Sequence, residues 1–325
     1  MDRQSVSPEE LPDLELRPLR QLELEPGSGD SDRPHVASAS GVVRRGVFAY
    51  VVGDDQLELA VFDLSAEGAG TLRKALAGEL PGDASDRAKE KPDLEALTTV
   101  PPLEESPYGG LLGLGSGSNE RRDRGFFWSL DADGSLRDDP RQIELSPLYG
   151  TLRRELGEIN VEGACVFGDR LWLFNRGNQG DAPNAVAEVA LPDLGESLHG
   201  DLELDPEELS GLRAYELGDL DGVGLCFSDA TPLSDHLVAF TASAEEDGPD
   251  GGIRGSVVGT IDADGVVHRL RTIDRRWKVE GVDAKIDTGV VDLVFVCDQD
   301  DPSAPSPLLT ATMPLDAQFE QANEG

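Results

Sequence analysis

Three glutamates stand at matching places along the 325-residue chain: Glu95, Glu162 and Glu280. Each precedes a small residue, Ala96, Gly163 or Gly281, at the head of a short apolar segment. Asn175, Arg176 and Asp298 come later in the same repeats, in polar stretches that follow a second apolar segment. Carboxylates brought to one axis repel, so a cation, an arginine or a bound proton must compensate them. Glu, Asp and Asn oxygens with no Cys or His nearby suit calcium, and magnesium less well. The expected metal ligands are therefore Glu95, Glu162, Glu280 and Asp298. Asn175 and Arg176 are the catalytic candidates, with Arg176 orienting an anionic substrate or meeting developing negative charge. Such a cation would act as a Lewis acid in the hydrolysis of esters or phosphoesters. An alternative stays open, in which the glutamates cap strand ends and the chain is a non-catalytic scaffold that binds a protein or small ligand.

What positions these residues is a repeat. Five times a short apolar strand, a tight turn, a second apolar strand, a polar loop and a third strand follow one another. The equivalent small residues are Gly41, Ala96, Gly163, Gly224 and Gly281, at intervals of 55 to 67 residues. Ser40 and Val223 hold the glutamate position in the other two repeats. The turns SLDADGSL (Ser129–Leu136) and TIDADGVV (Thr260–Val267) match almost residue for residue and carry hairpin chemistry. Thr71–Leu76, Gln142–Leu145, Arg213–Leu217 and Val266–Arg271 supply fourth strands; the fifth repeat lacks one, and Leu14–Leu24 is expected to supply it and close the ring. The expected fold is all-β, a single-domain β-propeller of five blades, with six left open. It spans residues 14–315, between a disordered tail at 1–13 and a second tail at 316–325. Helices are expected from Ser146-Pro147 toward Leu156 and near Pro206–Leu209, and Pro81–Pro92 reads as an exposed charged loop.

Composition removes some functions. Lys+Arg number 28 against 64 Asp+Glu, a formal net charge of -36. That surface repels phosphate backbones and anionic lipid, so neither nucleic acid nor membrane is an expected partner. No stretch approaches a membrane span, and the first residues lack a secretory pattern, so a cytoplasmic monomer handling a small molecule is expected. Five lysines leave 23 arginines, a balance that fits either salt adaptation or a GC-rich coding bias. Cys165, Cys226 and Cys297 are odd in number and lack CxxC spacing, which argues against disulfides and zinc.

The segments ELGEINVEGACVFGDRLWLFNRGN (Glu155–Asn178), WKVEGVDAK (Trp277–Lys285) and VFVCDQDDPSAPSPLL (Val294–Leu309) resemble uncharacterised bacterial propeller proteins. These are similar to the group named for the "esterase-like activity of phytase", and the likeness runs from about Val36. It implies Glu162, Glu280, Asn175, Arg176 and Asp298 as site residues. Members of that group are usually exported, whereas no signal sequence is visible here. More distantly, lactonase-type propellers hold calcium in the channel on Glu, Asn and Asp.

Overall fold

The computed structural model describes residues 3–29, 33–178, 182–190, 209–246, 252–299 and 301–314. They form five sheets arranged as the blades of a propeller. The first blade is Ala39–Arg45, Phe48–Gly53, Glu58–Asp63 and Thr71–Lys74. The second is Leu94–Val100, Gly110–Gly115, Arg124–Ser129 and Arg141–Glu144. Val161–Phe167, Arg170–Asn175, Asn184–Ala190 and Gly211–Glu216 make the third. Val223–Pro232, Leu237–Glu245, Ile253–Asp262 and Val267–Thr272 make the fourth. In the fifth, Val279–Asp287, Val290–Cys297 and Pro307–Pro314 are completed by Arg17–Gln21, which pairs antiparallel with Pro307–Pro314. The ring is thus closed by an N-terminal strand, which removes an open sheet edge. Among the described residues no helix is long and apolar enough to cross a membrane.

Apolar strand faces dictate the packing. Five buried clusters form, each between neighbouring blades, such as Tyr50, Leu59, Phe126 and Trp128 between the first and second. At the axis the inner strands approach closely. A Cβ on Gly163 would lie 2.7 Å from Asp229 Cα, and one on Gly281 would lie 2.7 Å from the Ser40 carbonyl oxygen. Only glycine fits such an approach of backbone to backbone.

Each inner strand carries a bulge at one level. Pairing skips Ser40, Glu95, Glu162 and Glu280 in blades one, two, three and five. In blade four the skipped residue is Ser228, between Phe227 and Asp229. The expected match at Val223–Gly224 is therefore corrected to Ser228–Asp229. Val223 and Gly224 pair instead with Leu220 and Asp219 in a small hairpin at the head of the Val223–Pro232 strand, which mimics the start of a repeat.

Two further expectations change. Within residues 1–13, expected as a disordered tail, Arg3–Ser5 pairs parallel with Gly211–Glu216, and Glu9 N–H bonds to the Leu270 carbonyl at 2.7 Å. Unpaired edge groups on blades three and four attract this segment. Pro81–Pro92, expected as a loop, holds the helix Ala84–Glu90, capped by Asp83 Oδ1 accepting from Ser85 N–H at 2.9 Å. The helix Ser146–Leu156 forms as expected and buries Leu148, Tyr149 and Leu152. Residues 206–208, in the other expected helix, and the tail 316–325 lie outside the described residues.

Candidate functional site at the channel mouth

The bulges, the stretches leading into the inner strands and the loops leaving the second strands all meet at one end of the channel. Backbone bonds stitch this end together across blades: Asp93 N–H to the Asp54 carbonyl at 3.0 Å, Ser116 N–H to Asp93 at 2.9 Å, and Val161 N–H to Ser116 at 2.8 Å. Carboxylates and cations from all five blades gather there.

On the side of blades one and two, Asp54, Asp93 and Glu95 each place an oxygen within 4.8 Å of the others. Lys91 Nζ bridges Asp54 and Asp93, lying 2.9 Å from Asp93 Oδ1. Arg122 Nη1 is 2.7 Å from Asp93 Oδ2, and Ser116 Oγ donates to that oxygen at 2.5 Å. Burial raises the Asp54 carboxyl against the pull of Lys91, while Asp54 and Asp93 hold Lys91 protonated against its own burial. Glu95 is pushed well above the usual carboxylate range, first by burial and then by the charges of Glu162, Asp93 and Asp54.

On the side of blades three to five, Asn160 Nδ2 donates to Glu162 Oε1 at 2.5 Å, and Arg176 Nη1 lies 3.5 Å from the same oxygen. Arg176 Nη2 meets Glu245 Oε2 at 2.5 Å, and Lys278 Nζ meets Glu280 Oε1 at 3.1 Å and Glu245 Oε1 at 3.4 Å. Burial lifts Glu162 to about 7, opposed by Arg176 and reinforced by Glu280 and Asp93. A carboxyl titrating there is poised for proton transfer at neutral pH. The three acids facing Arg176 raise its pKa despite burial. Asn175 Oδ1 accepts from Asn160 N–H at 2.8 Å and its amide donates to the Pro183 carbonyl at 3.0 Å, so it fixes the loop beside Glu162.

Of the expected ligands, Glu95 joins the tight triad with Asp54 and Asp93. Glu162 and Glu280 lie against Arg176 and Lys278 instead. Asp298 is half-buried and bridges to Ser38 between blades five and one, outside the triad. Sequence reasoning passed over Asp93, Asn160 and Lys278. Each stands two residues before a bulge glutamate, a spacing that could have flagged them. Deeper in the channel, fully buried Asp229 accepts from the Val282 N–H at 2.8 Å, and burial drives its pKa well up. A cleft of about 600 Å3 lined by Phe48, Tyr50 and Trp128 lies between blades one and two, away from these groups.

A family model matches residues 35–313. The chain belongs to DUF6929, a family of unknown function. The match names this family and not the phytase-like esterases. No curated protein matches the chain in sequence. Among solved structures, it is similar to the catalytic domain of Coprinopsis cinerea GH62 alpha-L-arabinofuranosidase, with a TM-score of 0.50 and 11% identity over 93% of this chain and 96% of that one. Myxococcus xanthus glutaminyl cyclase aligns with a TM-score of 0.46 and 12% identity over 94% of this chain and 100% of that one. The likeness to the arabinofuranosidase domain, at 11% identity, speaks to the fold alone.

Proposed function

We propose that this DUF6929 protein is a divalent-cation-dependent hydrolase of small esters or phosphoesters, working at the channel mouth. The observation that carries the proposal is the Asp54, Asp93 and Glu95 oxygen triad beside a glutamate that titrates near neutrality. Three hard carboxylate oxygens gathered within 4.8 Å of one another suit a hard divalent cation such as calcium, which takes its ligands from oxygen. When bound, the cation would supply Lewis-acid polarisation of a carbonyl or phosphoryl oxygen. Glu162 would take the proton of the attacking water. Asn160 and Arg176 hold its carboxylate in place, and Arg176 also presents positive charge to an anionic substrate. The esterase-like resemblance of the Glu155–Asn178 segment points the same way.

The test screens p-nitrophenyl esters and phosphates with calcium and with EDTA, on wild type, Glu162→Gln and Glu95→Gln. Activity that needs calcium and falls at least a hundredfold in Glu162→Gln supports the proposal. Activity indifferent to both substitutions ends it. One observation favours the scaffold alternative: Lys91, Arg122, Arg176 and Lys278 already neutralise much of the carboxylate charge. That alternative expects no calcium response at all.

A further inference from the structure

The segment Pro81–Pro92 is built unlike the blades. In its seven-residue helix Ser85, Asp86, Ala88, Lys89 and Glu90 are exposed and Arg87 is half-buried. A helix this short is marginal on its own, and packing of an apolar face normally supports it. Here polar ties do so: Arg87 Nη1 reaches the Asp55 carbonyl at 3.4 Å, and Lys91 reaches Asp54 and Asp93. A cleft of about 470 Å3 runs alongside, lined in part by Leu57, Leu80, Glu90 and Arg124. Just past the helix, Pro92 is buried and Asp93 takes the left-handed conformation at φ +55°. An L residue adopts that conformation at a cost of about 1 kcal/mol, so the bend that turns Lys91 onto the carboxylates is enforced.

We infer that Lys91 is a tethered plug for the cation seat, carried on a polar arm, Pro81–Pro92, that swings away when a divalent cation enters. The inference rests on the cation reading above and adds how the seat is regulated. An ammonium and a divalent ion cannot share the gap between Asp54 and Asp93, because both need the same lone pairs and they repel. The tether gives the ammonium a high effective concentration, so a divalent ion must outcompete it. Arg122 is not the plug. It holds the second Asp93 oxygen, and Ser118 Oγ accepts from the same guanidinium nitrogen at 2.6 Å. Lys89 pairs with Asp86 on its own helix, at 2.9 Å, and serves as the control.

Two measurements on the full chain, stripped with EDTA and dialysed, test this. Calorimetric titration with calcium chloride compares wild type, Lys91→Met and Lys89→Met. Removal of the plug should lower the calcium Kd at least tenfold in Lys91→Met and leave Lys89→Met at the wild-type value. Trypsin digestion of the wild type should cut faster after Arg87 and Lys89 with calcium present, since the arm is then released. Equal calcium affinity in wild type and Lys91→Met overturns the plug and leaves the cation reading standing. Calcium binding by neither protein overturns both. The digestion needs no variant, so it decides even where Lys91→Met does not fold: calcium that slows these cuts or leaves them unchanged refutes the arm.

Discussion

Replacing Glu162 by Gln tests the electrostatics of the mouth most directly. In the folded protein this carboxyl titrates at about 7, against an ordinary value of 4.5. Its folded pKa is raised, so the fold binds its proton more tightly than the unfolded chain does. The stability this supplies is fully present below pH 4.5 and is lost as pH rises through 7. The rise to about 7 amounts to about 3 kcal/mol over the whole range. The accessible range is narrower, because the isoelectric point is about 4.2 and solubility fails near it. Between about pH 5.5 and pH 8.5 the linkage relation leaves a loss of about 2 kcal/mol in the wild type. Gln cannot titrate and shows none of it. The measurement is urea unfolding of both proteins across that window, in EDTA. The stability of Glu162→Gln relative to wild type should climb by about 2 kcal/mol from the acid to the alkaline end. The many surface carboxylates titrate alike in both proteins, and any pH-independent weakening of the amide's bonds to Asn160 and Arg176 cancels in the double difference. A relative stability that stays flat would mean that Glu162 is ionised throughout and locked to Arg176. It would then hold no proton to exchange near neutrality, and its part as the base would fall with it.

Other perturbations give separable outcomes. Gly163→Ala puts a methyl 2.7 to 2.8 Å from the backbone of Asp229 and Ala230, so the midpoint of urea unfolding should fall by the equivalent of about 1–3 kcal/mol or more. A neutral result would show that the inner strands can part. Asp229→Asn copies the protonated acid and should unfold within about 1 kcal/mol of wild type, whereas Asp229→Ala strands the Val282 N–H and should cost about 1–3 kcal/mol. An Asn variant as unstable as the Ala variant would show that the ionised form is needed. With a net charge of -36, self-repulsion should make the melting temperature rise steadily with added sodium chloride, and a falling one would refute this.

The fold was legible because its units are repeated hairpins. The two DADG turns, the small residue at each inner strand and the missing fourth strand of the last repeat all report local geometry. Blade four slipped because the hairpin at Asp219–Gly224 copies the opening of a repeat, while the true bulge puts Asp229 where other blades have Gly or Ala. The arm read as a loop because its helix has no apolar face to set a period. For the mouth, the bulge glutamates were visible as a recurring residue type. Arg176 was visible beside them, but which groups meet across blades was not: Asp54 of blade one meets Asp93 and Glu95 of blade two, and Glu245 of blade four meets Arg176 of blade three. Such pairs depend on how the blades are set around the axis, which no local pattern encodes.

The charges at the mouth divide into two halves, and among the described residues each is one cation short. Asp54, Asp93 and Glu95 face Lys91 and Arg122; Glu162, Glu245 and Glu280 face Arg176 and Lys278. Each deficit falls on one acid, Glu95 in the first half and Glu162 in the second; the charge of Glu162 raises Glu95, and that of Asp93 raises both. Exchanging the ammonium of Lys91 for a divalent ion adds one positive charge to the first half. The field of that charge reaches Glu162 and favours its ionised form, which is the form a base requires. The halves are therefore coupled, and calcium should move the Glu162 titration downward. With saturating calcium in place of EDTA, the pH-dependent gap between wild type and Glu162→Gln should shift to lower pH and shrink within the window. An unchanged gap under bound calcium would mean that the seat and the base act without reference to each other.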